Sequence, residues 1–283
     1  MLYTSIKFRM KMNNKINDSR KNFEKLGSSY PKADNVIIEK EIIKNINCYW
    51  FRNNAKTNTN RIILYLHGGC FVLGSIQSHQ SLVSHLSKEL SLPILFADYS
   101  LAPEHPFPSA INEIIHVYQH LLLKYPENDI ILMGDSAGAG LSLSVLSKLN
   151  EMNIPAPKYL VMLSPWIDLA CTNKSLIVNA NLDPILTKEQ LQNFVSLYIN
   201  DKNLSEANPI ETMYGPFPPT LIVVGSGEIL LDDSKSVYTK IASQQAKVKL
   251  SIYDKQNHVW MLENIHTEAS KKAIREIQEF IAG

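Results

Sequence analysis

The sequence predicts an α/β fold, a mostly parallel sheet covered by helices on both faces. Three observations carry that expectation. Short, nearly continuous apolar runs recur along the chain, as strands buried on both faces require. Stretches with apolar residues at helical spacing separate them. Several runs stop at glycine, where a strand can turn sharply into the next element. With 283 residues, 45% hydrophobic and 19% charged, the chain can bury one large core.

The elements come in order along the chain. NVIIEKEII (35–43) and NCYWFR (47–52) read as an opening strand pair. RIILYLHGG (61–69), LPILFADYS (92–100), DIILMG (129–134), KYLVMLSP (158–165), PTLIVVGSG (219–227) and AKVKLSIYD (246–254) read as six more strands, eight in all. Residues 77–90 place Leu82, Val83, Leu86 and Leu90 on one helical stripe, and 109–125 and 139–149 are similar. The last helix, 267–281, has Thr267 as its N-cap and Ala273, Ile274, Ile277, Phe280 and Ile281 as its core face. Residues 170–210 break the alternation. They are polar and helical, with the clearest helix at 183–200, and read as a cap inserted between two strands.

Composition narrows the function classes. The formal net charge of +1 calls for neither nucleic acid nor an anionic membrane. No run reaches the roughly 18 apolar residues of a spanning helix. Residues 1–26 carry Lys7, Arg9, Lys11, Lys15, Arg20, Lys21 and Lys25 against Asp18 and Glu24. No apolar stretch comes after them as in a secretory signal, so they read as a solvated helical segment or a lid. Cys48, Cys70 and Cys171 are scattered, without metal spacing or a disulfide framework. That usage suits a reducing cytoplasm.

Chemistry concentrates at GDSAGAG (134–140). Ser136 lies just past the carboxyl end of one strand and just before a helix, where open parallel sheets gather their ligands. Gly134, Ala137, Gly138 and Gly140 are small enough for a sharp strand-to-helix turn that presents the hydroxyl as a nucleophile. HGGC (67–70) ends another strand, and Gly68 and Gly69, with Ala137, are the expected N–H donors to an oxyanion. His67 reads as an orienting residue. A base should sit on a loop beyond a strand end, and His258 in DKQNHVW (254–260) does. The acid should precede it in GSGEILLDDS (225–234). Glu228 comes soonest after the strand, Asp232 is the second candidate, and Asp232 and Asp233 also look like the start of a helix.

The motifs HGGC (67–70), DYSLAPEHPFPSA (98–110), GDSAGAG (134–140), SPWIDL (164–169), GSGEILLDDS (225–234) and NHVW (257–260) together resemble the hormone-sensitive-lipase-type carboxylesterases of the α/β-hydrolase fold. The resemblance covers roughly residues 35–283. It implies an eight-stranded sheet, a helical cap built from residues 1–33 and the 170–210 insertion, and a catalytic domain at 34–283. It implies cofactor-free hydrolysis of short acyl esters, with Ser136 as nucleophile, His258 as base and Glu228 where the family usually has aspartate. Gly68, Gly69 and Ala137 resemble its oxyanion donors. Cys70 replaces the usual third glycine, and whether its N–H joins them is left open. Phe71, Trp166 and Leu182 are expected near the acyl pocket, and an edge strand leaves a homodimer open. An amidase or formamidase, or a silent binding protein on a hydrolase scaffold, fits the same residues as an alternative.

Overall fold

The computed structural model describes residues 15–53, 60–244 and 247–283. Most of the basic stretch ahead of Lys15 lies outside them, as does the start of the expected strand at 246. Among the described residues the strands are β1 (Val36–Ile43), β2 (Ile46–Asn53), β3 (Ile62–Leu66), β4 (Ile94–Asp98), β5 (Ile130–Asp135), β6 (Tyr159–Leu163), β7 (Thr220–Gly225) and β8 (Val248–Tyr253). They form one sheet in the order β1-β2-β4-β3-β5-β6-β7-β8. β2 runs antiparallel to β1 and β4, and every other neighbour pair is parallel.

The helices are α1 (15–24), α2 (Ile76–Leu90), α3 (Ser109–Leu122), α4 (Ala137–Glu151), α5 (Ser175–Val178), α6 (Lys188–Ile199), α7 (Leu204–Ala207), α8 (Pro209–Thr212), α9 (Leu231–Ala242), α10 (Trp260–Glu263) and α11 (Glu268–Ala282). Strand alternation sorts the core into two layers. Ile62, Leu64 and Leu66 pack with Ile114 of α3, Leu146 of α4 and Val237 of α9. Ile63 and Tyr65 face the other way, with Leu86 of α2 and Ile277 of α11. Both faces are covered, so the central strands are apolar throughout rather than alternating.

Strand order reverses between β3 and β5, which lie side by side. Their carboxyl ends open the crevice in which such sheets bind ligands. Residues 164–219 connect β6 to β7 and contain α5 to α8. The helix expected at 183–200 begins at Lys188 instead, capped by the Thr187 hydroxyl, which accepts the Gln190 N–H. Pro184 and the Asp183 carboxylate hold 183–187 in a turn, because Asp183 Oδ1 accepts the N–H groups of Ile185 and Leu186. Thr267 caps the final helix as expected, its hydroxyl accepting the Ser270 N–H.

Helix α4 starts unusually close to β3. A Cβ added at Gly138 would lie 2.1 Å from Leu66 O and 2.5 Å from His67 O, both backbone atoms. Gly138→Ala is therefore expected to push α4 off the sheet at a cost of roughly 1–3 kcal/mol. A lower Tm checks this, and an unchanged Tm would show that the contact is not tight.

Candidate active site

Ser136 occupies φ +52°, ψ −121°, a conformation disfavoured for a residue with a side chain. The bend is held by Ser136 N–H donating to Leu163 O at 2.8 Å and by Trp166 N–H donating to Ser136 O at 3.1 Å. It turns the hydroxyl toward the loop after β8. There Ser136 Oγ–H donates to His258 Nε2 at 2.9 Å. His258 Nδ1–H donates to Glu228 Oε2, also at 2.9 Å, which assigns the tautomer. The structure thus brings together the three side chains named from sequence. Asp232 is elsewhere, accepting from Ser175 N–H and pairing with Lys235.

Glu228 is fully buried. Its Oε1 accepts Gly225 N–H at 2.6 Å and Ser164 Oγ–H at 2.7 Å. Burial raises its proton affinity and outweighs the bonds from His258, Ser164 and Gly225 that oppose it. Burial alone would lower the imidazolium pKa of His258. The hydrogen bond to Glu228 and its charge reverse that, so His258 is held above the ordinary value. Both directions describe a pair with strong affinity for a proton.

HGGC does not behave uniformly. Gly68 N–H donates to the buried carboxylate of Asp135, Oδ1, at 3.0 Å, and Tyr65 OH donates to the same oxygen at 2.8 Å. The sequence points to Gly68 as an oxyanion donor, but its N–H is already spent on Asp135. Gly69 (φ +113°), Cys70 (φ +57°) and Phe71 (φ +62°) then turn the chain through the left-handed region. The N–H groups of Gly69, Cys70 and Ala137 have no protein acceptor among the described residues. Burial pushes the Cys70 thiol up to about 12, so it is a neutral group and no competing nucleophile.

His67 orients the loop. Its Nδ1–H donates to Gly68 O at 2.7 Å, and its ring stacks on Tyr99 at 4.2 Å. Burial and the neighbouring His79 pull its pKa down to about 3, so the ring is neutral. Phe71 and Trp166 are buried, and Trp166 N–H reaches Ser136 O, whereas Leu182 is 60% exposed. Phe71 stacks on Tyr198 of α6 at 4.0 Å.

Sequence reasoning missed several supporting residues. Ser164 (φ +47°) donates to Glu228 and accepts Val259 N–H at 3.1 Å, so one hydroxyl ties the acid to the backbone next to His258. Asn179 Nδ2 donates to Ser226 O and Glu228 O, and Asp183 Oδ2 accepts Ile229 N–H. These contacts cross between distant segments, and only SPWIDL hinted at one of them. No group of three or more His, Cys, Asp or Glu among the described residues could hold a metal ion.

Comparison with known proteins points to one fold family. A family model described as the alpha/beta hydrolase fold matches residues 63–262. An esterase of Acinetobacter venetianus is 36% identical over 80% of this chain and 76% of its own length. An acetyl-hydrolase of Streptomyces hygroscopicus is 35% identical over 71% of this chain and 68% of its own. A crystal structure of an esterase from the bacterial hormone-sensitive lipase family superposes with a TM-score of 0.90 at 34% identity, covering 94% of this chain and 90% of that one.

Ser164→Ala removes a donor from Glu228 and frees the Val259 N–H. The expected result is about a tenfold fall in kcat, as for loss of one hydrogen bond to a charged group. Without that donor the carboxylate holds a proton more readily, so the acidic limb of the pH profile moves to higher pH. A profile superimposable on wild type would show that Ser164 only packs.

Proposed function

From the premise that the chain belongs to the α/β-hydrolase family, among its hormone-sensitive-lipase-type esterases, and is a carboxylic ester hydrolase, we propose that it cleaves short-chain acyl esters through Ser136, His258 and Glu228. The observation that carries the reading is the unbroken relay from the Ser136 hydroxyl through His258 to Glu228, with both links at 2.9 Å.

In this mechanism His258 Nε2 takes the proton as Ser136 Oγ attacks the ester carbonyl. Glu228 holds Nδ1–H and stabilises the imidazolium that forms. The carbonyl oxygen gains charge and meets the free N–H groups of Gly69, Cys70 and Ala137, each worth about 2.7–4 kcal/mol in comparable sites. His258 then protonates the leaving alkoxide, which departs and leaves an acyl-enzyme. Water enters, His258 takes its proton, and a second tetrahedral species collapses to release the acid and restore Ser136.

The acyl preference rests on Phe71, Trp166 and Tyr198. Trp166 is tied to Ser136 O through its own N–H, and Phe71 is wedged between Trp166 and Tyr198, with ring centroids 5.8 and 4.0 Å away. We take this buried aromatic packing next to the Ser136 turn to favour a short acyl group, and the acetyl-hydrolase relative supports the same substrate class. The described part of residues 1–33 and the 170–210 insertion act as the cap over this site. No helix among the described residues is long and apolar enough to cross a membrane. An amidase would use the same relay, and turnover of matched amides and esters separates the two.

A chain-length series of p-nitrophenyl esters is expected to peak at about two to six acyl carbons, with Ser136→Ala lower by about 10⁶-fold in kcat. A preference for long chains would overturn the substrate class, and full activity in the variant would overturn the mechanism. The pH dependence has a definite sign. His258 must be neutral to act as base, and Glu228 raises its pKa. kcat/KM therefore falls as pH drops through a value above the ordinary histidine pKa of 6.5. An acidic limb below that value would contradict the buried ion-pair geometry.

A further inference from the structure

The catalytic relay leaves the basic N-terminal segment without a task, and Arg20 of α1 supplies one. Its Nε–H donates to Val72 O at 2.9 Å, and Nη2–H donates to Ala102 O at 2.9 Å. The same guanidinium grips Glu104 through both oxygens, Nη1 to Oε1 at 2.8 Å and Nη2 to Oε2 at 2.7 Å. Ala102 N–H in turn donates to Phe71 O at 2.9 Å. The carbonyls of Phe71 and Val72, the end of the turn that begins at Gly69, are both secured by this assembly.

That turn needs outside support. Gly69, Cys70 and Phe71 all have positive φ, and the last two carry a Cβ that disfavours it. Within the turn, the N–H groups of Val72 and Leu73 both donate to Gly69 O. Those bonds close the loop but do not set the direction of the Gly69 and Cys70 N–H groups. The partner Glu104 is half exposed, so the ion pair itself adds little. What matters is the planar fork of arginine, which meets two carbonyls and a carboxylate at once.

We propose that Arg20 is a positioning residue for the oxyanion site, holding the 69–72 turn so that the Gly69 and Cys70 N–H groups face the substrate carbonyl. This rests on the proposed oxyanion role of that turn. Deleting a donor outright costs about 10²–10³-fold in kcat. Losing the residue that aims two donors should cost less, on the order of tenfold.

The test compares wild type, Arg20→Gln, Arg20→Lys and the solvent-facing Lys21→Gln. It measures kcat and KM on p-nitrophenyl butyrate, affinity for an alkyl boronic acid that adds to serine as a tetrahedral anion, and Tm. Arg20→Gln should lower kcat about tenfold with KM within about twofold, and weaken boronate binding in parallel. Arg20→Lys, with the charge but not the fork, should fall between, and Lys21→Gln should match wild type. A folded Arg20→Gln with wild-type kcat and boronate affinity, or with a change in Tm or KM alone, overturns the inference. If that variant does not fold, wild-type kcat and boronate affinity in Arg20→Lys overturn it equally. A wild-type enzyme inactive on every ester would instead sink the esterase mechanism, a separable outcome.

Discussion

The left-handed backbone of Ser136 is the constraint on which the rest of the site depends. A residue with a side chain held there costs on the order of 1–3 kcal/mol, so its surroundings must fix it. They do so from both sides: Leu163 O accepts its N–H, and its carbonyl accepts the N–H groups of Trp166, Ala139 and Gly140. Gly134 and Gly138 approach so closely that a Cβ on Gly134 would lie 2.7 Å from the Gly138 backbone. The same bonds bring the end of β6 against the nucleophile, and β6 is followed at once by Ser164. The backbone that bends the serine therefore also delivers the hydroxyl that orients the acid.

Two carboxylates lie buried in this region, and their environments push them apart. Asp135 and Glu228 are both almost without solvent contact. Burial would raise both. At Asp135, His79 and the Tyr65 hydroxyl outweigh it and keep the carboxyl below the usual range. At Glu228 burial prevails. Asp135 is thus a fixed negative anchor for Tyr65 and the Gly68 N–H, whereas Glu228 is set up to share a proton with His258. Asp135 stands next to Ser136 and takes no part in the relay, because Tyr65 and Gly68 N–H engage its Oδ1 and His79 of α2 its Oδ2.

The same division governs how much of the molecule was legible in the sequence. The fold was legible because β3, β5, β6 and β7 are buried on both faces, which forces unbroken apolar runs. Ser136, Glu228 and His258 were legible because each lies just beyond a strand end in an order that the topology allows. Gly68 was misjudged because its engagement with Asp135 depends on the distance between β3 and β5, which no local pattern encodes. Ser164 and Tyr198 were missed for the same reason. A serine after a strand and a tyrosine on a helix carry no signal until the chain brings Glu228 and Phe71 to them. Asp183 was absorbed into a helix because Asp-Pro reads equally well as a helix start, and the turn shows only in its bonds to the Ile185 and Leu186 N–H groups.

The longer acid also gives the connection between β6 and β7 a structural task. Glu228 has one methylene more than aspartate, and the extra length is taken up by folding the carboxylate back onto Gly225 N–H while its other oxygen faces His258. Such a bend requires the 225–230 loop to be held from outside, since its own hydrogen bonds are few. Asn179 and Asp183 supply that hold through Ser226 O, Glu228 O and Ile229 N–H. Both flank the exposed Leu182. A shift of residues 179–183 therefore pulls on the loop that carries Glu228. The link runs through the amide of Asn179 and the carboxylate of Asp183.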